Sequence, residues 1–318
     1  MSSTANLYDD LFSDDDDLDV GMLAINEMYG HLNFDEMSDY ISLDSYNKKF
    51  SSNNDKMISI AHFNIRSLET NLIPLEALLS SLQQKPDIIA FSETWLDNEN
   101  VNNLTLEGYY SHHVVREKRE RGGVSIFIRD GLHCEKVDEY SYVNSLIEIC
   151  TIRLTINDSS YIVAAIYRPS NKYTKIKEFR KEMVPLLKNP IFKKSNTIFL
   201  GDFNIDLLIH SHHQDTNEYL NMFQTFGYIP LITRATRFPQ GKQMGNPSLL
   251  DHIFVNFTPP AYTGILHFDL TDHLPTTFNF YLPQRLNSSF KSNSECLMKK
   301  INLNLLENLL IQCGRSYL

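Results

Sequence analysis

Six short polar clusters, each set against an apolar run, are where this sequence could do chemistry. In chain order they are His62-Phe63-Asn64-Ile65-Arg66-Ser67-Leu68, Ser92-Glu93-Thr94-Trp95-Leu96, Tyr167-Arg168-Pro169, Gly201-Asp202-Phe203-Asn204, Ser248-Leu249-Leu250-Asp251-His252-Ile253-Phe254 and Thr271-Asp272-His273-Leu274-Pro275. A carboxylate, amide, phenol or imidazole beside a core segment is costly unless it is paired or binds something. Gathered in one place, the Asn, Glu and Asp oxygens would be hard ligands suited to magnesium, with hydrogen-bond donors around them. That combination fits in-line phosphoryl transfer, which needs a positioned water, a neutralised phosphate and a stabilised leaving group. Taken singly the clusters are ordinary. Gly-Asp is a common turn and a lone histidine is usually structural. The joint set carries the signal.

The clusters need strands to hold them. In 57–64, Ile58, Ile60, His62 and Asn64 fall on one side of an alternating run and Ser59, Ala61 and Phe63 on the other, which is strand periodicity. Leu72, Leu75, Leu78, Leu79 and Leu82 have helical spacing within 71–84, stopped by Pro86 and Asp87. The run 87–92 is short and continuously apolar, as a buried strand is. Further strands are expected at 124–128, 146–154, 161–167, 197–200, 250–255 and 276–281, and helices at 179–187 and 218–226. Many short strands with a few helices, each polar cluster just after or beside a strand, predict two packed sheets with helices outside and a site at one end of the strands.

The net charge of −10 belongs to one end. Residues 1–50 hold twelve acids against two lysines, which leaves 27 acids and 27 bases for the remainder. Residues 1–56, with the run Asp14 to Asp17, are expected to be an acidic and mostly disordered tail, a solvated segment or one that folds on a protein partner. The body is expected at 57–283, and 284–318 reads as a linker with an apolar helical stub at 301–312. No apolar run reaches the length of a membrane span, so no membrane is expected. The four cysteines lie far apart with no Cys-x-x-Cys. They give no sulfur site for zinc, and they fit a reducing compartment.

Asn-Ile-Arg-Ser-Leu, Glu-Thr-Trp-Leu, Arg-Gly-Gly-Val, Tyr-Arg-Pro, Gly-Asp-Phe-Asn, Leu-Asp-His-Ile-Phe and Thr-Asp-His-Leu-Pro follow one another in this order. The series resembles the endonuclease/exonuclease/phosphatase superfamily, and within it the apurinic-endonuclease-like domain of non-LTR retrotransposons, over about Met57 to Leu282. The resemblance implies a four-layer α/β sandwich of the deoxyribonuclease I-like kind, with two packed mixed sheets flanked by helices. It implies magnesium-dependent (or manganese-dependent) hydrolysis that nicks one DNA strand, in an intracellular, nuclear setting. In such elements the nick exposes a 3′ hydroxyl that primes reverse transcription. No polymerase is expected within these residues, so this chain alone would not complete that step.

By matching position, the resemblance implies that Asn64, Glu93 and Asp272 hold or neighbour the metal. Asp202 orients or deprotonates the attacking water, Asn204 holds water or phosphate, and Tyr167 lies at the phosphate. His273 donates to its developing charge, and Asp251 fixes that imidazole's tautomer and keeps it cationic. An Asp251–His273 contact is therefore expected. DNA contacts are expected from Arg66, Arg116, Arg119, Arg121, Arg168, Arg234 and Arg237. The basic segment before Gly122-Gly123 reads equally as a solvated hairpin tip or a phosphate-tracking loop. The pairs and triplets His112-His113 and His210, His212, His213 fit loop tips better than a metal site. Two other readings stand: another phosphoesterase of the superfamily, such as a repair nuclease or an inositol or lipid phosphatase, and a catalytically dead binding relic.

Overall fold

The computed structural model describes residues 37–50, 57–117, 121–156, 159–170, 175–239, 245–257 and 262–282. Arg119, the Asp14–Asp17 run and the segment expected as linker and stub lie outside them.

Two sheets carry the fold. The first contains β1 (Asp39–Ile41), β2 (Met57–Asn64), β3 (Ile88–Ser92), β4 (Tyr109–Val114) and β5 (Val124–Arg129), joined later in the chain by β13 (Tyr262–Leu266) and β14 (Thr276–Tyr281). The second contains β6 (Cys134–Lys136), β7 (Tyr142–Val143), β8 (Glu148–Ile156), β9 (Ser159–Tyr167), β10 (Asn196–Asp202), β11 (Ile229–Pro230) and β12 (Asp251–Val255). Strand order is β1-β13-β14-β2-β3-β5-β4 in the first and β11-β12-β10-β9-β8-β6 in the second, with β7 beside β8. Parallel pairs (β2–β3, β9–β10, β1–β13) mix with antiparallel ones. Among the described residues five α-helices accompany them: α1 (Leu43–Lys49), α2 (Leu68–Ser81), α3 (Ile176–Lys188), α4 (Pro190–Lys193) and α5 (Gln214–Thr225). This is the α/β sandwich that the sequence predicts.

Every residue of β2 is buried, because the strand is covered on both faces. Ile58 and Ile60 pack with Ile198, Leu200 and Ile253 of the second sheet, whereas Met57, Ala61 and Phe63 join Leu75, Leu78 and Leu79 of α2 on the outside. The alternation read from the sequence thus aims His62 and Asn64 between the sheets. Gly201 is required where β9 and β10 approach. Its φ is +147°, and a Cβ there would lie 1.8 Å from the carbonyl oxygen of Ile166.

The body begins before Met57. Asp39–Ile41 pairs in parallel with Gly264–Leu266, and Ser42 caps α1 by accepting the Ser45 N–H at 3.2 Å. Three strand residues and one buried helical side chain, Tyr46, are too few to leave a periodic signal among the acids of that segment. His112 and His113 also depart from expectation. They lie on β4, where His113 is hydrogen-bonded to Ser111 (2.8 Å) and Ser125 (2.7 Å), not on a loop tip. Among the described residues, no helix is long and apolar enough to cross a membrane.

Candidate active site

The site is built where the two sheets meet at one end of their strands. Asn64 closes β2 and Glu93 follows β3 directly; both strands belong to the first sheet. On the second sheet a single rung runs Glu148, Tyr167, Asp202 and Asp251, since Glu148 pairs with Tyr167, Tyr167 with Asp202, and Asp202 with Asp251. Side chains opposite one another across strands share a face. Asn64 joins the halves: its Nδ2 donates to Asp202 Oδ2 at 2.8 Å and to Glu93 Oε1 at 3.1 Å. Asn204 donates its backbone N–H to Asp202 Oδ1 (2.9 Å) and its side-chain amide to Asp202 Oδ2 (3.2 Å). His273, in the loop before β14, lies with Nδ1 2.8 Å from Asp251 Oδ2. The contact expected between those two is present.

Burial and charge set the protonation states. Burial would lower the pKa of His273, but the charge and hydrogen bond of Asp251, with Asp202 and Asp272 nearby, lift it to about 9. The imidazole is therefore cationic at neutral pH. Burial would raise Asp251, yet His273 and Thr236 hold it below the usual carboxylate range. Asp202 moves the other way. Burial raises it, Asp251 and Glu93 add to the rise, and His273 and the Asn204 amide offset only part. Two carboxylates on one rung thus have opposite tendencies: Asp251 is held charged as the ion-pair partner of His273, and Asp202 is the more readily protonated. Tyr167 keeps its proton firmly, because burial and then Glu93, Asp202 and Glu148 all disfavour the phenolate.

The model of a known family, described as the Endonuclease/Exonuclease/phosphatase family, matches residues 61–273. That interval spans the site from β2 to His273.

The chain belongs to this family.

Solved structures agree on the fold. An AP endonuclease, LMAP, from Leishmania major is 14% identical, with 74% of this chain and 91% of that chain covered and a TM-score of 0.56. The endonuclease domain of TRAS1, a telomere-specific non-LTR retrotransposon, is 15% identical over 71% of this chain and 99% of that one, at 0.54. A 3′ phosphatase from Neisseria, solved bound to a product DNA hairpin, is 17% identical over 70% and 99%, at 0.53. Compared with curated protein sequences, the chain matches none.

The backbone of this chain is strained at the site. Among the described residues five non-glycine residues have positive φ: Arg66, Ser67, Glu93, Trp95 and Asn204. All five lie in the loops leaving β2, β3 and β10, where such strain is held in place by the surrounding structure. The same loops leave a polar atom open. Asn64 Oδ1 is buried without a hydrogen-bond partner, next to the Glu93 carboxylate that its Nδ2 contacts. An orphaned amide oxygen beside a carboxylate is a hard-ligand pair that a divalent cation fits. Asp202, Asp251 and His273 also offer ligand atoms within 4.8 Å of one another. There, however, Nδ1 is engaged with Asp251 and the ring is cationic, whereas a ligating imidazole must be neutral.

Asp272, expected near the metal, has its carboxylate between two guanidinium groups, 2.6 Å from Arg66 Nη1 and 3.0 Å from Arg237 Nε. It orients the arginines. Arg66 and Arg237 remain partly exposed at the site's edge, and exposed Arg121 lies 5.8 Å from the Trp95 ring centroid. Arg234 ties down the segment just before β1, donating Nε to the Ser38 carbonyl at 2.7 Å. Arg168 is a correction. It is 5% exposed and donates Nη1 to the Asn204 carbonyl at 2.9 Å, so it braces the loop behind the site and does not face solvent. Arg116 is paired with buried Glu148. Sequence reasoning gave no such contact to three residues. Thr236 donates to Asp251 Oδ2 at 2.6 Å, His62 Nδ1 lies 3.7 Å from Asp251 Oδ1, and Glu148 extends the polar rung. His62 was legible in the β2 alternation; Thr236 and Glu148 carried no local signal.

Proposed function

We propose that this chain hydrolyses a phosphodiester of DNA with magnesium bound at Asn64 and Glu93, cutting one strand in the manner of the retrotransposon endonucleases. The observation that carries the proposal is the convergence of Asn64, Glu93, Asp202, Asn204, Asp251 and His273 from both sheets, with the Asp251–His273 ion pair facing Asp202. Similarity to an AP endonuclease, a retrotransposon endonuclease domain and a 3′ phosphatase bound to product DNA supports a DNA phosphoester as substrate.

When bound, the metal would polarise a phosphoryl oxygen and stabilise the leaving oxygen. The protein's own groups do the rest. Asp202, whose proton affinity is raised, accepts a proton from the attacking water. Asn204 holds the Asp202 carboxylate on both oxygens and so fixes its direction. Cationic His273, kept so by Asp251, donates to the charge that develops on the phosphate. Tyr167, a protonated phenol on the same rung, is a further donor. Arg66 and Arg237, held by Asp272, neutralise the flanking backbone.

The test is nicking of supercoiled plasmid with magnesium, with EDTA, and by Asp202→Ala and His273→Ala. EDTA abolishes nicking, and each variant loses roughly a hundredfold or more in rate. Undiminished nicking by either variant would remove these roles. Release of inorganic phosphate from a 3′-phosphorylated oligonucleotide, without plasmid nicking, would favour the phosphatase reading that the Neisseria structure suggests.

A further inference from the structure

Glu148 opens β8 in the second sheet and is fully buried, yet the chemistry above does not use it. Its Oε1 accepts from Arg116 Nε at 2.8 Å and also from Nη2 of the same guanidinium, while Oε2 accepts the Gly123 N–H. The next link leads to the first sheet. The carbonyl of Gly122 accepts the Trp95 N–H at 2.8 Å, and that of Gly123 accepts the Thr94 N–H at 3.2 Å. From the other side, the Ser67 N–H donates to the Glu93 carbonyl (2.9 Å) and the Leu68 N–H to the Thr94 carbonyl (3.0 Å). The segment from Glu93 to Trp95 is therefore gripped along both edges, with Glu93 and Trp95 each held at φ 54°.

The Gly-Gly pair has a physical cause. A Cβ on Gly122 would lie 2.6 Å from Glu148 Oε1, and one on Gly123 would lie 2.4 Å from Thr94 Oγ1, with φ at +127° and +89°. The turn is closed on Glu148 on one side and on the Glu93 loop on the other. Glu148 is thus a polar tie from the second sheet to the loop that leaves the first, at the end where the site's two halves meet.

We infer that Glu148, acting through Gly123 and Arg116, is a positioning residue that sets Glu93 in the place where it holds the divalent metal. The inference rests on the reading of Glu93 as a metal-holding group. A purely structural ion pair would stabilise the fold without changing metal affinity. A positioning role changes it, because groups that orient a metal ligand typically contribute about 10–100-fold in affinity.

The experiment uses the full chain with Glu148→Gln, which keeps the shape but removes the charge that Arg116 and Gly123 engage. Mn²⁺ alone is titrated and bound ion read by electron paramagnetic resonance; nicking is then followed against magnesium concentration, and plasmid binding is measured in EDTA. Expected are Mn²⁺ affinity weaker by about 10–100-fold, nicking that recovers at high magnesium, and plasmid binding within about twofold of the parent. A variant that melts cooperatively and binds Mn²⁺ within twofold of the parent overturns the inference. Where Glu148→Gln does not fold, Arg116→Lys is read for Mn²⁺ affinity and melting alone; loss of cooperative melting in both assigns the tie to stability and overturns it too. A parent that binds Mn²⁺ through a Glu148-dependent site but nicks no DNA breaks the nuclease reading and leaves the tie standing. Nicking by the parent with unchanged Mn²⁺ binding in the variant breaks the tie alone.

Discussion

Asp87 and Asp202 are both buried carboxylates at strand ends, one just before β3 and the other at the close of β10, and they differ in what surrounds their charge. Asp87 accepts from the Ser59 N–H at 2.8 Å and the Ser59 hydroxyl at 2.9 Å, and its other oxygen lies 2.5 Å from Arg129 Nη2. The donors that reach Asp202 are the neutral amides of Asn64 and Asn204, and its neighbours on the rung and across the sheets include Asp251 and Glu93. Burial raises the pKa of both. At Asp87 the Ser59 amide and Arg129 pull it back in part, whereas at Asp202 the two further carboxylates Asp251 and Glu93 push it higher and His273 offsets only part of that rise. A buried carboxylate paired with a guanidinium and held by neighbouring donors is costly to remove; one facing further carboxylates is poised to accept a proton or to neighbour a bound cation.

Histidines draw the same contrast. His252, between the Tyr219 hydroxyl and the Leu249 carbonyl, is pushed by burial down to about 4, while His273 beside Asp251 rises to about 9. One is a neutral packing group, stacked on Phe203, and the other a cation at the site.

The largest expected effect lies on the site side. Asp251→Asn removes the charge that keeps His273 protonated, and plasmid nicking per folded molecule should fall by roughly a hundredfold or more. A loss below tenfold would place His273 outside the chemistry. Next comes the structural side. Asp87→Ala strands the Ser59 amide and the Arg129 contact, and urea unfolding should show a loss of ~2–4 kcal/mol, with the nicking rate per folded molecule within about twofold of the parent. An equal loss of nicking would erase the distinction between the two carboxylates. The smallest effect is a pH dependence. His252 has its folded pKa depressed from 6.5 to about 4. The unfolded chain then binds the proton first, so stability is present above about pH 6.5 and is lost as pH falls toward 4. His252→Gln should flatten that fall by ~1–3 kcal/mol in chemical denaturation at pH 7 and pH 4. A parallel fall in both proteins would show that His252 is not the group being linked.

Much of the site was legible because strand alternation and strand ends are local. The period of two in β2 already aims His62 and Asn64 inward, and Asp202 and Asn204 stand where β10 stops. Glu148 was not legible. It lies inside a run that reads as an apolar strand, and its meaning comes from the register that sets it beside Tyr167 and under Gly123. The arginines divide for the same reason. Nothing near Arg168 in the sequence says that its guanidinium turns back to the Asn204 carbonyl, whereas Arg66 keeps a partly exposed face. Partner choice for long cationic side chains is decided by tertiary contacts. Strand β1 escaped notice because three residues cannot establish a period.

The most direct test of the centre is Asp202→Asn, read for nicking and for thermal stability together. The substitution keeps the shape and removes a charge that burial and two neighbouring carboxylates disfavour. The structure predicts nicking lower by roughly a hundredfold or more, with a melting temperature equal to or above the parent's in EDTA. A folded Asp202→Asn protein that nicks plasmid at the parent's rate would contradict the assignment of this rung as the reacting centre.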